Sequence, residues 1–207
     1  LFDDATAFSR EWGVDETAER LIAEGAIEPL IIVGMYNAGE QRLDEYTPIR
    51  DGSMTGGGKG EAHGRMLVEE LKPFIDAAYR TRPEAASTGV GGSSLGGLVS
   101  LYLGLRHSGV FWRLAVISPS AWWGDRYLAR RVKALSHKPP LRIWLSVGTE
   151  EGAGVVDDVE EVRDALVERG WQEGEDLHFE LVEGGRHDEA AWGAIVEPML
   201  RWLFPAS

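Results

Sequence analysis

The chain has 207 residues, 43% hydrophobic and 27% charged, which suits one soluble domain with a sizeable core. Its formal net charge of −13, with no basic stripe along the sequence, argues against a nucleic-acid partner, and no apolar run is long enough to cross a bilayer. With no cysteine, disulfides, thiolate metal sites and a cysteine nucleophile are excluded, and the compartment stays open, the cytoplasm being favoured over secretion.

In chain order, residues 12–22 carry apolar side chains at helical spacing, and Gly25 stops the pattern. Pro29 then leads into Leu30, Ile31, Ile32 and Val33, a continuous apolar run that predicts a strand buried on both faces. Gly56, Gly57, Gly58, Lys59 and Gly60 form a loop; without a GK[ST] ending they do not make a phosphate cradle. Residues 61–79 read as a helix with Met66, Leu67, Leu71, Phe74, Ile75 and Ala78 as its stripe, kinked or restarted at Pro73. A strand at 87–91 precedes a buried helix that includes 98–105, and another strand covers 114–117. Arg126, Arg130 and Arg131 are a solvated helix face. Strands at 141–147 and 179–182 flank an amphipathic helix at 156–169, which Gly170 stops. Residues 189–204 close the chain as a helix with Pro198 as a break. Strands alternating with helices predict an α/β fold, one domain over 1–207, with a mainly parallel sheet covered on both faces.

Such sheets bind ligands at the carboxyl ends of their strands, so polar residues just beyond a strand bear the chemistry. Gly92, Ser93, Ser94, Leu95 and Gly96 spell G-x-S-x-G between a strand and a helix, the setting of a nucleophile elbow. The neighbours two positions either side of Ser94 must lack bulk, which Gly92 and Gly96 satisfy, while Gly91 and Gly97 add slack. The helix start behind Ser94 offers free N–H groups to a developing oxyanion.

Serine needs a base to take its proton, and the base needs an acid to orient it. His187 lies just past the last strand, where the base belongs, whereas His63, His107, His137 and His178 sit in structural or solvated positions. The acid should follow the 141–147 strand. Glu150 and Glu151 are the candidates there, with Asp157 and Asp158 further along at a helix start, where carboxylates commonly match the dipole. Trp122 and Trp123 follow another strand and suggest the walls of an aromatic acyl pocket. Tyr36, Asn37 and Arg42 belong to a loop that would shape the same pocket, with Arg42 able to meet a carboxylate or catecholate. No HExxH or comparable ligand pair occurs, and neither metal nor cofactor is called for.

Six blocks in order carry a family resemblance: VGMYNAGEQRLDEYTP (33–48), ELKPFIDAAYRT (70–81), GGSSLGG (91–97), ISPSAWW (117–123), VGTEEG (147–152) and EGGRHDEAAW (183–192). Together they resemble the putative-esterase family of α/β-hydrolases, which includes enterochelin and other siderophore esterases, feruloyl and acetylxylan esterases, S-formylglutathione hydrolases and mycolyltransferases. The resemblance implies Ser94 as nucleophile, His187 as base and Glu151 as the best match to the acid, although some siderophore-type members manage with a Ser–His pair. It also implies the Leu95 N–H as one oxyanion donor, the other coming from an N-terminal loop whose end Leu1, Phe2, Asp3 and Asp4 resemble. The strands that precede this loop in the family are absent from the sequence, which begins at Leu1, so a removed leader or a fragment is expected, with an exposed sheet edge open to a homodimer. The expected activity is hydrolysis of a small-molecule carboxylic ester through an acyl-enzyme. The rivals are acyl transfer to another alcohol and a non-catalytic, degenerate hydrolase-like binding domain.

Overall fold

A computed structural model describes residues 11–206. Helix α1 (Val14–Ala23) carries Asp15 and Glu16 in its first turn and buries Val14, Ala18 and Leu21, one stripe at helical spacing. Gly25, at φ 67°, ends it: the Gly25 and Ala26 amides donate back to the Ile22 and Leu21 carbonyls, the double bond of a Schellman cap. The apolar run that follows is the main departure from expectation. Residues 30–33 form no strand, and Ile31, Ile32 and Val33 are exposed. An apolar run acquires ladder geometry only where a neighbouring strand accepts its N–H groups, and none lies beside it among the described residues.

A short helix not foreseen in the sequence, α2 (Arg42–Tyr46), comes next. The helix expected over 61–79 is present as α3 (Gly60–Met66) and α4 (Lys72–Ala78), joined without a break by a π-helical turn at Leu67–Leu71. The Lys72 amide reaches back five residues to the Leu67 carbonyl. That widened turn accommodates Pro73, which has no N–H to offer. The far end of the predicted stripe is uncovered, with Phe74 exposed.

Four parallel strands follow: β1 (Gly89–Ser93), β2 (Arg113–Ile117), β3 (Arg142–Gly148) and β4 (Leu177–Val182), hydrogen-bonded in that spatial order. Helix α5 (Leu95–Arg106) connects the first pair and is buried all round from Gly97 to Leu105. Helices α6 (Trp123–Lys133) and α7 (Val155–Glu168) make the later crossovers, and α8 (Glu189–Ala194) and α9 (Val196–Leu203) end the chain. The C-terminal break falls at Ile195, so that Pro198 sits in the first turn of α9, where no N–H is required of it. Side chains alternate between two cores. Leu114, Val116, Ile143, Leu145 and Val147 face α5, α6 and α7, whereas Ile117 and Trp144 face α1 and α9. The sheet is therefore covered on both faces, as the alternation predicted.

Register places the chemistry. Ser93, Ile117 and Ser146 are aligned across β1, β2 and β3, and Gly148 is level with Val182 on β4. Residues just past these positions emerge along one edge of the sheet.

Candidate active site

Ser94 caps α5 at φ 57° and ψ −123°, a left-handed backbone that a non-glycine residue adopts only under constraint. The constraint is visible: its amide donates to Ile117 at 3.0 Å, and its carbonyl accepts from Leu98 at 3.0 Å and from Ser120 at 3.1 Å. The glycines around it divide differently from the sequence reading. A Cβ on Gly92 would stand 3.0 Å from Gly96 backbone, as the elbow demands, but one on Gly96 meets nothing within 4 Å. Gly91 and Gly97 supply no slack. Their absent Cβ atoms would lie 2.6 Å from Ala115 and 2.8 Å from the Ile117 carbonyl, so both are needed for close packing against β2.

The loops after β3 and β4 are pressed together at two glycines. A Cβ on Gly148 would come 2.2 Å from the Gly185 carbonyl oxygen. The Glu150 amide donates to that same carbonyl at 2.8 Å, and the Thr149 amide donates to Val182 at 3.0 Å. This contact delivers Glu151 to His187, with Nδ1 2.7 Å from Oε2. The Glu151 side chain is 1% exposed and the His187 ring 40%, so the carboxylate is sealed while the imidazole faces solvent. The other carboxylate oxygen accepts from the Gly148 amide at 2.7 Å and from Ser118 Oγ at 2.5 Å. Burial by itself would raise the Glu151 carboxyl, but the hydrogen bonds from His187, Ser118 and Gly148 outweigh it and hold the group below its usual 4.5. An ionised acceptor at Nδ1 keeps the proton there and leaves Nε2 free as a base. Glu150 is turned away, paired with Arg186 at 3.0 Å, and Asp158 pairs with Arg126 at 2.7 Å. Of the acids weighed from the sequence, Glu151 is the one brought to the imidazole.

Among the described residues, neither Ser94 Oγ nor His187 Nε2 has a hydrogen-bond partner. The two belong to the same sheet edge, and such bonds commonly tighten only when substrate is bound. The Leu95 amide occupies the first helical position of α5, where no intrahelical acceptor exists for it. Leu1 to Asp4, read as the end of the second oxyanion loop, lie outside the described residues.

The pocket residues fare unevenly. Trp123 is fully buried in the core and donates its indole N–H to Ile49 at 2.8 Å, so it packs and does not line a pocket. Trp122, 42% exposed, remains available as a wall. Tyr36 is 86% exposed, Asn37 accepts from the Gly39 amide, and Arg42 stacks 5.5 Å from the Tyr46 ring. Among the described residues, none of these makes a hydrogen bond or ring contact with Ser94 or His187. The glycine run is occupied internally, Gly57 and Gly58 donating to Asp44 and Thr47. Ser118, which donates to Glu151, and Trp192, whose indole N–H donates to Ser118 at 3.0 Å, were not foreseen beside this pair. The available signal was the position of Ser118 one residue beyond a strand, level with Ser94.

A parallel α/β sheet with a strained serine after one strand, and a carboxylate and an imidazole paired after the strands two and three places away, defines an α/β-hydrolase. The chain matches the family described as "Putative esterase" over residues 1–203, and it belongs to that family. The six-block resemblance is thereby borne out, and the protein is a carboxylic-ester hydrolase. It is 27% identical over 202 residues to the "Uncharacterized protein YbbA" of Bacillus subtilis, covering 91% of this chain and 79% of that one. It is 26% identical to the "Endo-1,4-beta-xylanase/feruloyl esterase" of Xylanibacter ruminicola, covering 93% of this chain but only 25% of that protein. Among solved structures, the BES protein of Bacillus cereus superposes with a TM-score of 0.70 at 22% identity, over 93% of this chain and 76% of that one. The enterobactin esterase of Shigella flexneri gives 0.70 at 22% identity over 89% and 46%. These structural likenesses establish the fold. No helix among the described residues is long and apolar enough to cross a membrane.

Proposed function

We propose that the protein hydrolyses small-molecule carboxylic esters through an acyl-enzyme on Ser94. The observation that carries this reading is the 2.7 Å contact between His187 Nδ1 and the buried Glu151, placed on the sheet edge where the strained Ser94 turn also emerges. Ser94 Oγ attacks the ester carbonyl carbon while His187 Nε2 takes its proton, and Glu151 stabilises the imidazolium. The carbonyl oxygen becomes an oxyanion that accepts from the Leu95 N–H. Collapse breaks the C–O bond, and the imidazolium returns its proton to the departing alkoxide. Water then attacks the acyl-enzyme with His187 again as base, releasing the acid and restoring Ser94.

The test is turnover of p-nitrophenyl acetate, with fluorophosphonate labelling of the protein. Ser94→Ala should abolish both and leave the unfolding midpoint near that of the unsubstituted protein. Retained turnover in that variant would refute the reading. Feruloyl, acetyl and siderophore-lactone esters, offered side by side, would then rank the substrates.

A further inference from the structure

The carboxylate of Glu151 has two oxygens and could rotate, presenting either to the imidazole or neither. What fixes it lies outside the three residues that perform the proposed chemistry. Ser118 follows β2 directly, at φ 42°, with its amide held by the Ser146 carbonyl at 2.7 Å. That left-handed backbone turns a buried hydroxyl toward the space behind Glu151. Its Oγ lies 2.5 Å from Glu151 Oε1 and 3.0 Å from Trp192 Nε1. An indole nitrogen only donates, so the Trp192 N–H occupies the acceptor side of the hydroxyl. The hydroxyl proton then points at Glu151. The direction of the whole chain follows: Trp192 donates to Ser118, Ser118 to Glu151 Oε1, and His187 to Glu151 Oε2. With Oε1 saturated by Ser118 and the Gly148 amide, Oε2 is the oxygen left for the imidazole.

Trp192 acts at the other end as well. Its ring stands edge-to-face with His187, centroids 5.0 Å apart and planes at 84°. The Trp12 ring, 5.6 Å away, backs it in turn. One side chain thus bounds the imidazole and orients the hydroxyl that locks the acid.

We infer that Ser118 and Trp192 are positioning residues of this hydrolase, a hydrogen-bond relay that sets the rotamer of Glu151 and, through it, the tautomer and plane of the His187 ring. The inference rests on the proposed roles of His187 and Glu151, and its test separates the two. Kinetics would be measured on p-nitrophenyl acetate, and the Nδ1 proton of His187 followed by NMR in a Ser94→Ala background, where no turnover is needed. Ser118→Ala should lower kcat about tenfold to a hundredfold, the loss of a hydrogen bond to a charged group, with KM within about twofold. In the same variant the downfield Nδ1 resonance should broaden with solvent exchange. Trp192→Phe keeps the ring against His187 and removes only the N–H, so its kcat should fall less, by about threefold to tenfold.

A merely structural role predicts lower unfolding midpoints with kcat and resonance as in the unsubstituted protein, and that result overturns the relay. Should Ser118→Ala not fold, Ser118→Gly suits the left-handed backbone and is read the same way. If the unsubstituted protein neither hydrolyses esters nor is labelled at Ser94, the proposed function fails. The resonance with and without Ser118 would still judge the relay.

Discussion

Gly148 is the position where a single methyl group tests the geometry of the site most severely. A Cβ there would lie 2.2 Å from the Gly185 carbonyl oxygen, 2.4 Å from its carbon and 2.9 Å from its Cα, all of them backbone atoms. Restoring ordinary contact requires the two loops to part by about 1 Å. These are the loops that carry Glu151 and His187, whose nitrogen and oxygen are 2.7 Å apart. The carboxylate would also lose alignment with the Gly148 amide. Overpacking of this kind costs about 1–3 kcal/mol of stability, and a displacement of about 1 Å near the reacting groups costs about a hundredfold in rate. Gly148→Ala should therefore show a modest fall in urea midpoint and a large fall in kcat on p-nitrophenyl acetate. Wild-type kcat in a folded variant would refute the idea that the glycine contact delivers Glu151 to His187.

Gly96→Ala offers the contrast: its Cβ meets nothing within 4 Å, in the first turn of a helix. The urea midpoint should rise, by about 0.5–1 kcal/mol of stability, and a fall would contradict the open space seen there. Acid sensitivity should come in two windows. Burial lowers His63 and His107 from 6.5, only partly offset by Glu45 and by Glu61 and Glu69 respectively, with Arg106 also lowering His107. The unfolded chain therefore binds protons first, and stability is lost as pH falls below 6.5 toward the folded values. Glu151, also lowered, contributes stability that is present above 4.5 and lost as pH falls through its folded value. Urea midpoints between pH 7 and 3 should decline in both windows, with His63→Gln flattening the upper one; a flat profile above pH 5 would contradict the half-buried neutral histidines. Glu28, buried and bonded to both Arg82 and Arg113, ties the chain after α1 to the sheet. Glu28→Ala should cost about 3 kcal/mol of unfolding free energy, and a loss under about 1 kcal/mol would show that the pair is solvated.

Much of this was legible before any coordinates. The alternation of apolar runs predicted the parallel sheet, because strands buried on both faces and their connecting helices impose different periods on the same chain. The tight bend at G-x-S-x-G and the place of the late histidine just beyond a strand were legible because their constraints are local. Local pattern failed where a partner decides the outcome. Leu30 to Val33 has the composition of a strand, yet a strand exists only if a neighbour accepts its backbone bonds. Trp122 and Trp123 are adjacent and chemically identical, but the packing of α6 against Ile49 buries one and leaves the other in solvent.

The order and type of the groups proposed for catalysis can thus be read along the chain, since each answers to its own neighbours. Which carboxylate meets the imidazole was settled only in three dimensions. Glu150 and Glu151 differ by one position on a short loop, and the Gly148–Gly185 contact turns one inward to His187 and Ser118 and the other outward to Arg186. Ser118 and Trp192 are 74 residues apart, and nothing in either segment announces the other. A hydrogen bond between such distant groups is a property of strand register and helix packing, and it becomes visible only when the sheet is assembled.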